Sequence, residues 1–263
     1  MLPQNLVFIF LSLTFVVYYF SSTLIKNNIA MIQFNHVHFG YGAQKLFTEL
    51  SLNLEAGHIY GLLGKNGAGK TTLLKMMAGL VFPKVGTVVT LAHEPRKRQP
   101  SLMQQLYFVA EDAFVPDTTA RRLADTYGVF YPLFDNAQFF NYLQQFGVNS
   151  DQKLEKVSFG QRKKALISFA LATNVPLLLM DEPTNGLDIP SKSTFRKLVA
   201  GAASDERCII ISTHQVRDLE SLIDTVLVLH NGKITYREDL NVLAEESTSQ
   251  PDLEALFQDI IQK

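Results

Sequence analysis

The feature that most constrains this chain is a glycine-rich run held between two apolar segments. Residues 58–63 read as a buried strand and Thr71 to Leu80 as an apolar helix. Between them Gly64, Lys65, Asn66, Gly67, Ala68, Gly69, Lys70 and Thr71 fit the pattern G-x-x-x-x-G-K-[ST], with Thr72 following. Glycines let successive backbone N–H groups curl around phosphate oxygens, and a helix N-terminus adds partial positive charge. In such a loop Lys70 neutralises the β and γ phosphates of a nucleoside triphosphate, and the Thr71 hydroxyl binds Mg²⁺. A merely flexible surface turn would not need both a strand before it and a helix after it.

A second site points to the same chemistry. Leu177 to Met180 is apolar and ends in the pair Asp181 and Glu182. Acids at the C-terminal end of a buried parallel strand stand where ligands bind in such sheets. Asp181 suits Mg²⁺, and Glu182 suits orienting or deprotonating an attacking water. His214, just after the apolar run of residues 207–212, is a further candidate for contact with the γ phosphate.

The rest of the chain sets these motifs in a frame. Apolar residues alternate through Ile32, Phe34, Val37 and Phe39 with one slip, and again through Leu50, Leu52 and Leu54, as in strands. Residues 174–180 and 207–212 are continuous apolar runs of the kind found in parallel sheets covered on both faces. Asn231-Gly232 marks a hairpin between residues 225–229 and 233–236. Residues 96–150 are aromatic-rich with short helical stretches at 119–127 and 137–146, and residues 251–261 read as an amphipathic helix. The layout is an α/β core interrupted by a helical insertion. With 24 Lys+Arg against 25 Asp+Glu, nothing in the overall charge supports a nucleic acid partner. A single cysteine, Cys208, excludes a disulfide framework and a four-cysteine zinc site.

The first 30 residues stand apart. Leu6 to Ile25 holds 15 apolar residues in 20, about 30 Å of helix and enough to cross a bilayer. A cleaved signal peptide lacks its basic start here. Two readings stay open, a membrane anchor or upstream sequence before a working start at Met31.

Val157, Ser158, Phe159, Gly160 and Gln161 stand twenty residues before Asp181 and open a helix. This segment resembles the signature motif of the ATP-binding cassette ATPases, the nucleotide-binding subunits of ABC transporters. The other family motifs follow in order over residues 31–240. Tyr41 matches the aromatic that stacks on adenine, and Gly64–Thr72 match the phosphate loop. Asp181 and Glu182 match the Mg²⁺ strand and the catalytic carboxylate. Asn185 to Asp188 match the loop that crosses the dimer interface, and His214 matches the switch histidine. Phe108 to Asp112 and Tyr131 to Asp135 make the likeness nearest to short bacterial subunits of ABC-2-type exporters.

The resemblance implies an α/β fold: a P-loop NTPase core with a mostly parallel sheet, a small antiparallel β subdomain and a helical signature subdomain at about 96–170. Residues 241–263 would form a helical tail. It implies an ATPase that binds ATP and Mg²⁺ and pairs with a second cassette subunit, as a homodimer. Ser158, Gly160 and Gln161 of one subunit then cap the ATP held by residues 66–72 of the other. A transmembrane permease is the further partner, placing the chain on the cytoplasmic face of the membrane. The aromatic insertion would offer the permease a groove, most of its rings filling the subdomain core. An ATP-switched regulatory protein, uncoupled from transport, is the alternative. Two positions depart from the family. Glu111 stands where glutamine is usual and could itself reach Mg²⁺. Phe159 replaces a glycine of the signature and is expected to pack on the helical insertion.

Overall fold

The computed structural model describes residues 30–113, 115, 117–240 and 253–262. The hydrophobic segment at 6–25, the ring of Phe114 and the proline at 251 lie outside these residues. Among the described residues no helix is long and apolar enough to cross a membrane.

Two sheets form the frame. The first is antiparallel, in the order β2-β1-β4, from β1 (Ala30–Tyr41), β2 (Gln44–Glu55) and β4 (Val85–Thr90). The slip in the alternation of β1 is a bulge. Phe34 pairs with Leu52 and Val37 with Leu50, so two residues of β1 face one of β2. His36 takes a φ of 47° there, and its N–H bonds the Ser51 hydroxyl at 3.1 Å. The extra residue returns Val37 to the buried face.

The second sheet has the order β5-β6-β7-β3-β8-β9. Its strands are β3 (Ile59–Leu63), β5 (Leu106–Val109), β6 (Leu177–Asp181), β7 (Cys208–Thr213), β8 (Thr225–His230) and β9 (Lys233–Asp239). All pairs are parallel except β8 with β9. That last pair is the expected hairpin, its turn made by Asn231 and Gly232 with φ of 48° and 74°. β5 adds a strand to the aromatic-rich stretch of residues 96–150, in which the sequence marks only short helices. It is the edge strand of the main sheet and lies within the stretch assigned to the insertion.

Side chains alternate across this sheet into two cores. Leu178, Met180, Ile209 and Ile211 face the helical side, whereas Leu177, Leu179, Cys208 and Ile210 face the antiparallel sheet. Both faces are covered, which is why β6 and β7 read as unbroken apolar runs. Helix α1 (Lys70–Met77) is shorter than the expected 71–80, because Gly79 turns out of it at φ +65°. The insertion carries α2 (Pro100–Met103), α3 (Ala120–Tyr127) and α4 (Asn136–Gln145), the last two capped by Thr119 and Asp135. Helices α5 (Phe159–Ala172) and α6 (Ile189–Gly201) flank β6 in sequence. Helix α7 (Leu253–Gln262) returns to the core through buried Leu253 and Phe257.

Candidate nucleotide-binding and catalytic site

The parallel register brings the C-terminal ends of three strands together: Leu63 pairs with Thr213, and Asp181 with Ser212. From β3 the chain enters the glycine loop and then α1. Leu73 N–H bonds the Gly69 carbonyl at 2.9 Å, so the N–H groups of Lys70, Thr71 and Thr72 precede the intrahelical ladder and stay available. Gly69 sits at φ +107°, and a Cβ there would come within 2.8 Å of the Phe47 ring, so only glycine fits.

The cleft beside this loop has a volume of about 410 Å³. It is lined by Tyr41, Gln44, Leu46, Lys65, Asn66, Gly67, Gly69, Lys70, Thr71, Thr72, Glu111 and Glu182. Tyr41 is 56% exposed, stands edge-on to Phe39 and brings its hydroxyl within 3.4 Å of Thr72 Oγ1. The buried Lys70 ammonium donates to the Gly64 carbonyl at 2.7 Å and lies 3.5 Å from Glu182 Oε1.

Below the loop a chain of hydrogen bonds orders the acidic pair. Thr71 Oγ1 donates to Asp181 Oδ2 at 2.7 Å, and Ser212 Oγ donates to Asp181 Oδ1 at 2.6 Å. Ser212 Oγ also accepts the Glu182 N–H at 3.1 Å. Glu182 itself is in left-handed backbone, φ 44°, which costs a residue with a side chain about 1–3 kcal/mol. His214 Nδ1 lies 2.9 Å from Glu182 Oε1. Glu182 Oε2 is buried and has no hydrogen-bond partner among the described residues. A buried carboxylate oxygen left unpaired is expensive, and an attacking water on it would remove that cost. Thr71 and Asp181 together offer the hard oxygen donors that Mg²⁺ prefers. The residues present therefore fit a Mg²⁺-bound triphosphate.

Glu111 lines the same cleft but spends Oε1 on the side-chain amide of Asn185 at 2.8 Å. The signature residues do not line it. Ser158 caps α5, its Oγ accepting the Gln161 N–H at 3.2 Å. Asp188 caps α6 by accepting the Ser191 N–H at 2.8 Å, and these Ser191 hydrogen bonds hold its carboxyl below the usual range. A Cβ on Gly160 would come within 2.8 Å of the Gly186 carbonyl. Phe159 corrects its expectation: 48% exposed, its ring lies over Gly186 rather than on the helical insertion. Gly186 has no Cβ to hold it off.

Phe139 of the insertion and Phe169 of α5 are buried, while Tyr127 and Phe130 are exposed on a groove of about 530 Å³. Two contributors to the acidic site escaped sequence reasoning. Ser212 lies within an apolar strand run, and Lys163, whose ammonium donates to the Glu182 carbonyl, sits near the start of a helix, so neither position carries a local signal of the acidic pair.

The description "ABC transporter" belongs to the family profile that matches residues 47–185. The chain belongs to the ABC transporter ATP-binding family. It is 33% identical over 221 residues to the ABC transporter ATP-binding protein NatA of Bacillus subtilis, covering 81% of this chain and 89% of NatA. It is 30% identical over 218 residues to the Nod factor export ATP-binding protein I of Burkholderia lata, covering 78% and 69% of the two chains. A solved ATP-binding subunit of an ABC transporter superposes with a TM-score of 0.76 at 22% identity, over 88% of this chain and 99% of that one. That likeness bears on the fold alone. ATP-binding subunits of this family hydrolyse ATP and work in pairs with transmembrane permease partners.

Proposed function

We propose that this cassette hydrolyses Mg-ATP as one of two copies paired head to tail, and drives export through a separate permease at the cytoplasmic membrane face. The observation that carries the reading is the Glu182 carboxylate. One oxygen is fixed by His214 and Lys70, and the other is buried and unpaired at the phosphate cleft. Tyr41 stacks the adenine, and residues 66–72 hold the phosphates through backbone N–H groups and Lys70. Thr71 and Asp181 hold Mg²⁺, which supplies charge neutralisation at the phosphates. Glu182 orients the water and takes its proton at Oε2, and His214 keeps the carboxylate aimed. Glu111 adds a third oxygen group beside the metal ligands.

Ser158 and Gly160 lie outside their own cleft, which supports their acting on ATP held by the second copy. Loss of the γ phosphate then removes what joins the halves. The groove bearing Tyr127 and Phe130 is where a permease helix would seat, and the Nod factor export relative supports the outward direction.

The test compares the full chain with Glu182→Gln. Phosphate release beyond one equivalent per subunit, lost by at least about a hundredfold in the variant, with ATP still bound in a persistent dimer, is the expected result. Equal turnover in the variant removes Glu182 from catalysis. Co-purification from solubilised membranes with a multi-spanning protein is expected, and recovery without one would favour the regulatory alternative.

A further inference from the structure

Lys163 is the fifth residue of α5 and is only 3% exposed. A lysine that deep is unusual unless its ammonium is paired. Its Nζ donates to the carbonyl of Glu182 at 2.6 Å and to that of Asn185 at 3.1 Å. It also lies 5.4 Å from the centre of the Phe159 ring. Burial draws the ammonium below the ordinary lysine value, while Glu111, Glu182, Asp112 and Asp181 work against that shift. The ammonium nonetheless donates to backbone carbonyls and not to those carboxylates.

The two carbonyls belong to the turn that needs holding. Glu182 is in left-handed backbone, its N–H fastened to β7 through Ser212. Its carbonyl is fastened to α5 through Lys163. Rotation about this peptide would swing the carboxylate away from His214. The second carbonyl, on Asn185, fixes the residue whose side chain restrains Glu111. Helix α5 is capped by Ser158, so one side chain links the signature end of the helix to the catalytic turn.

We propose that Lys163 is a positioning residue for hydrolysis, holding the strained Glu182 turn in register with the signature helix and thereby setting the aim of the carboxylate. This rests on Glu182 acting on water. Lys163 does not line the nucleotide cleft, and its ammonium meets the Glu182 and Asn185 carbonyls, so its loss is expected to lower the rate of the chemical step and leave nucleotide binding in place.

The experiment measures kcat, KM for ATP and ATP-induced thermal stabilisation in the full chain carrying Lys163→Met or Lys163→Gln, beside Glu182→Gln. Met keeps the stem without a donor, and Gln keeps one donor. The expected order of kcat is wild type above Gln above Met, the Met variant at least about tenfold down, with KM and ATP-induced stabilisation within about twofold. Should the Met variant not fold, the Gln variant must show the same separation of kcat from KM. Unchanged kcat in both folded variants overturns the assignment. So does a parallel loss of kcat, ATP binding and stabilisation, which marks a structural role. Full turnover in Glu182→Gln refutes the catalytic reading itself. A silent Glu182→Gln beside a fully active Lys163→Met refutes only the role of Lys163.

Discussion

The side-chain amide of Asn185 donates to Glu111 Oε1 across 2.8 Å, joining the segment after β5 to the loop after β6 at the cleft. This bond holds a carboxylate close to where a multiply charged triphosphate must sit. Like charges in one cleft repel, and salt weakens the repulsion as the Debye length shortens to about 8 Å at physiological ionic strength. Glu111→Gln is therefore expected to bind Mg-free ATP several-fold more tightly at low salt, with the gain shrinking as salt is added. Titration with ATP in chelator at two ionic strengths reads this directly. Equal affinities at low salt would show that the Glu111 charge is not felt by the nucleotide.

Lys70 supplies the one buried ammonium among the residues lining the cleft, and its acceptors are loop carbonyls and Glu182. A hydrogen bond to a charged group is worth about 1.5–3 kcal/mol, or roughly ten- to a hundredfold in affinity. Lys70→Ala should weaken ATP binding by that factor while circular dichroism stays unchanged. Binding at wild-type strength would refute the phosphate-loop assignment.

Phe169 sits at the centre of an aromatic cluster, its ring centre 5.0 Å from Phe134, 5.6 Å from Tyr107 and 6.0 Å from Phe139. It is buried on α5, facing rings of the insertion. Truncation to alanine removes about 3–5 kcal/mol from stability by the usual cost of a large core cavity. Denaturant unfolding measures it, and a loss below about 1 kcal/mol would mean that the insertion does not pack on this ring.

Cys208 begins β7 inside the sheet, and burial pushes its thiol well above the usual cysteine value. The reactive species is the thiolate. A raised pKa keeps the native thiol protonated as pH rises through about 8.5, where an exposed cysteine ionises. Alkylation of the native protein at pH 8 should be slow, with one thiol per chain reacting on denaturation. Rapid native labelling would place Cys208 outside the core.

The legible and illegible parts of the site divide by the range of the interactions that make them. Residues 64–72, the Asp181–Glu182 pair and the hairpin at Asn231-Gly232 could all be read directly. In each, the local backbone geometry demands particular residue types in consecutive positions. The slip in β1 was visible too, but not that His36 would absorb it in left-handed backbone against Ser51. β5 was missed because a four-residue edge strand has too short a pattern to stand out from an aromatic-rich stretch.

By itself the sequence determined the phosphate loop, its acidic counterpart and the apolar strands that carry them, since these depend on neighbours within a few residues. Only the tertiary structure decided what those residues do to one another. The register of β6 against β7 set Ser212 between Asp181 and Glu182, from which it is 31 and 30 positions away in the chain. The packing of α5 sent Lys163 inward to the Glu182 turn and laid Phe159 over Gly186. A lysine or a phenylalanine near the start of a helix carries no local mark of its partner, because burial and hydrogen bonding across the fold come from contacts that periodicity cannot encode.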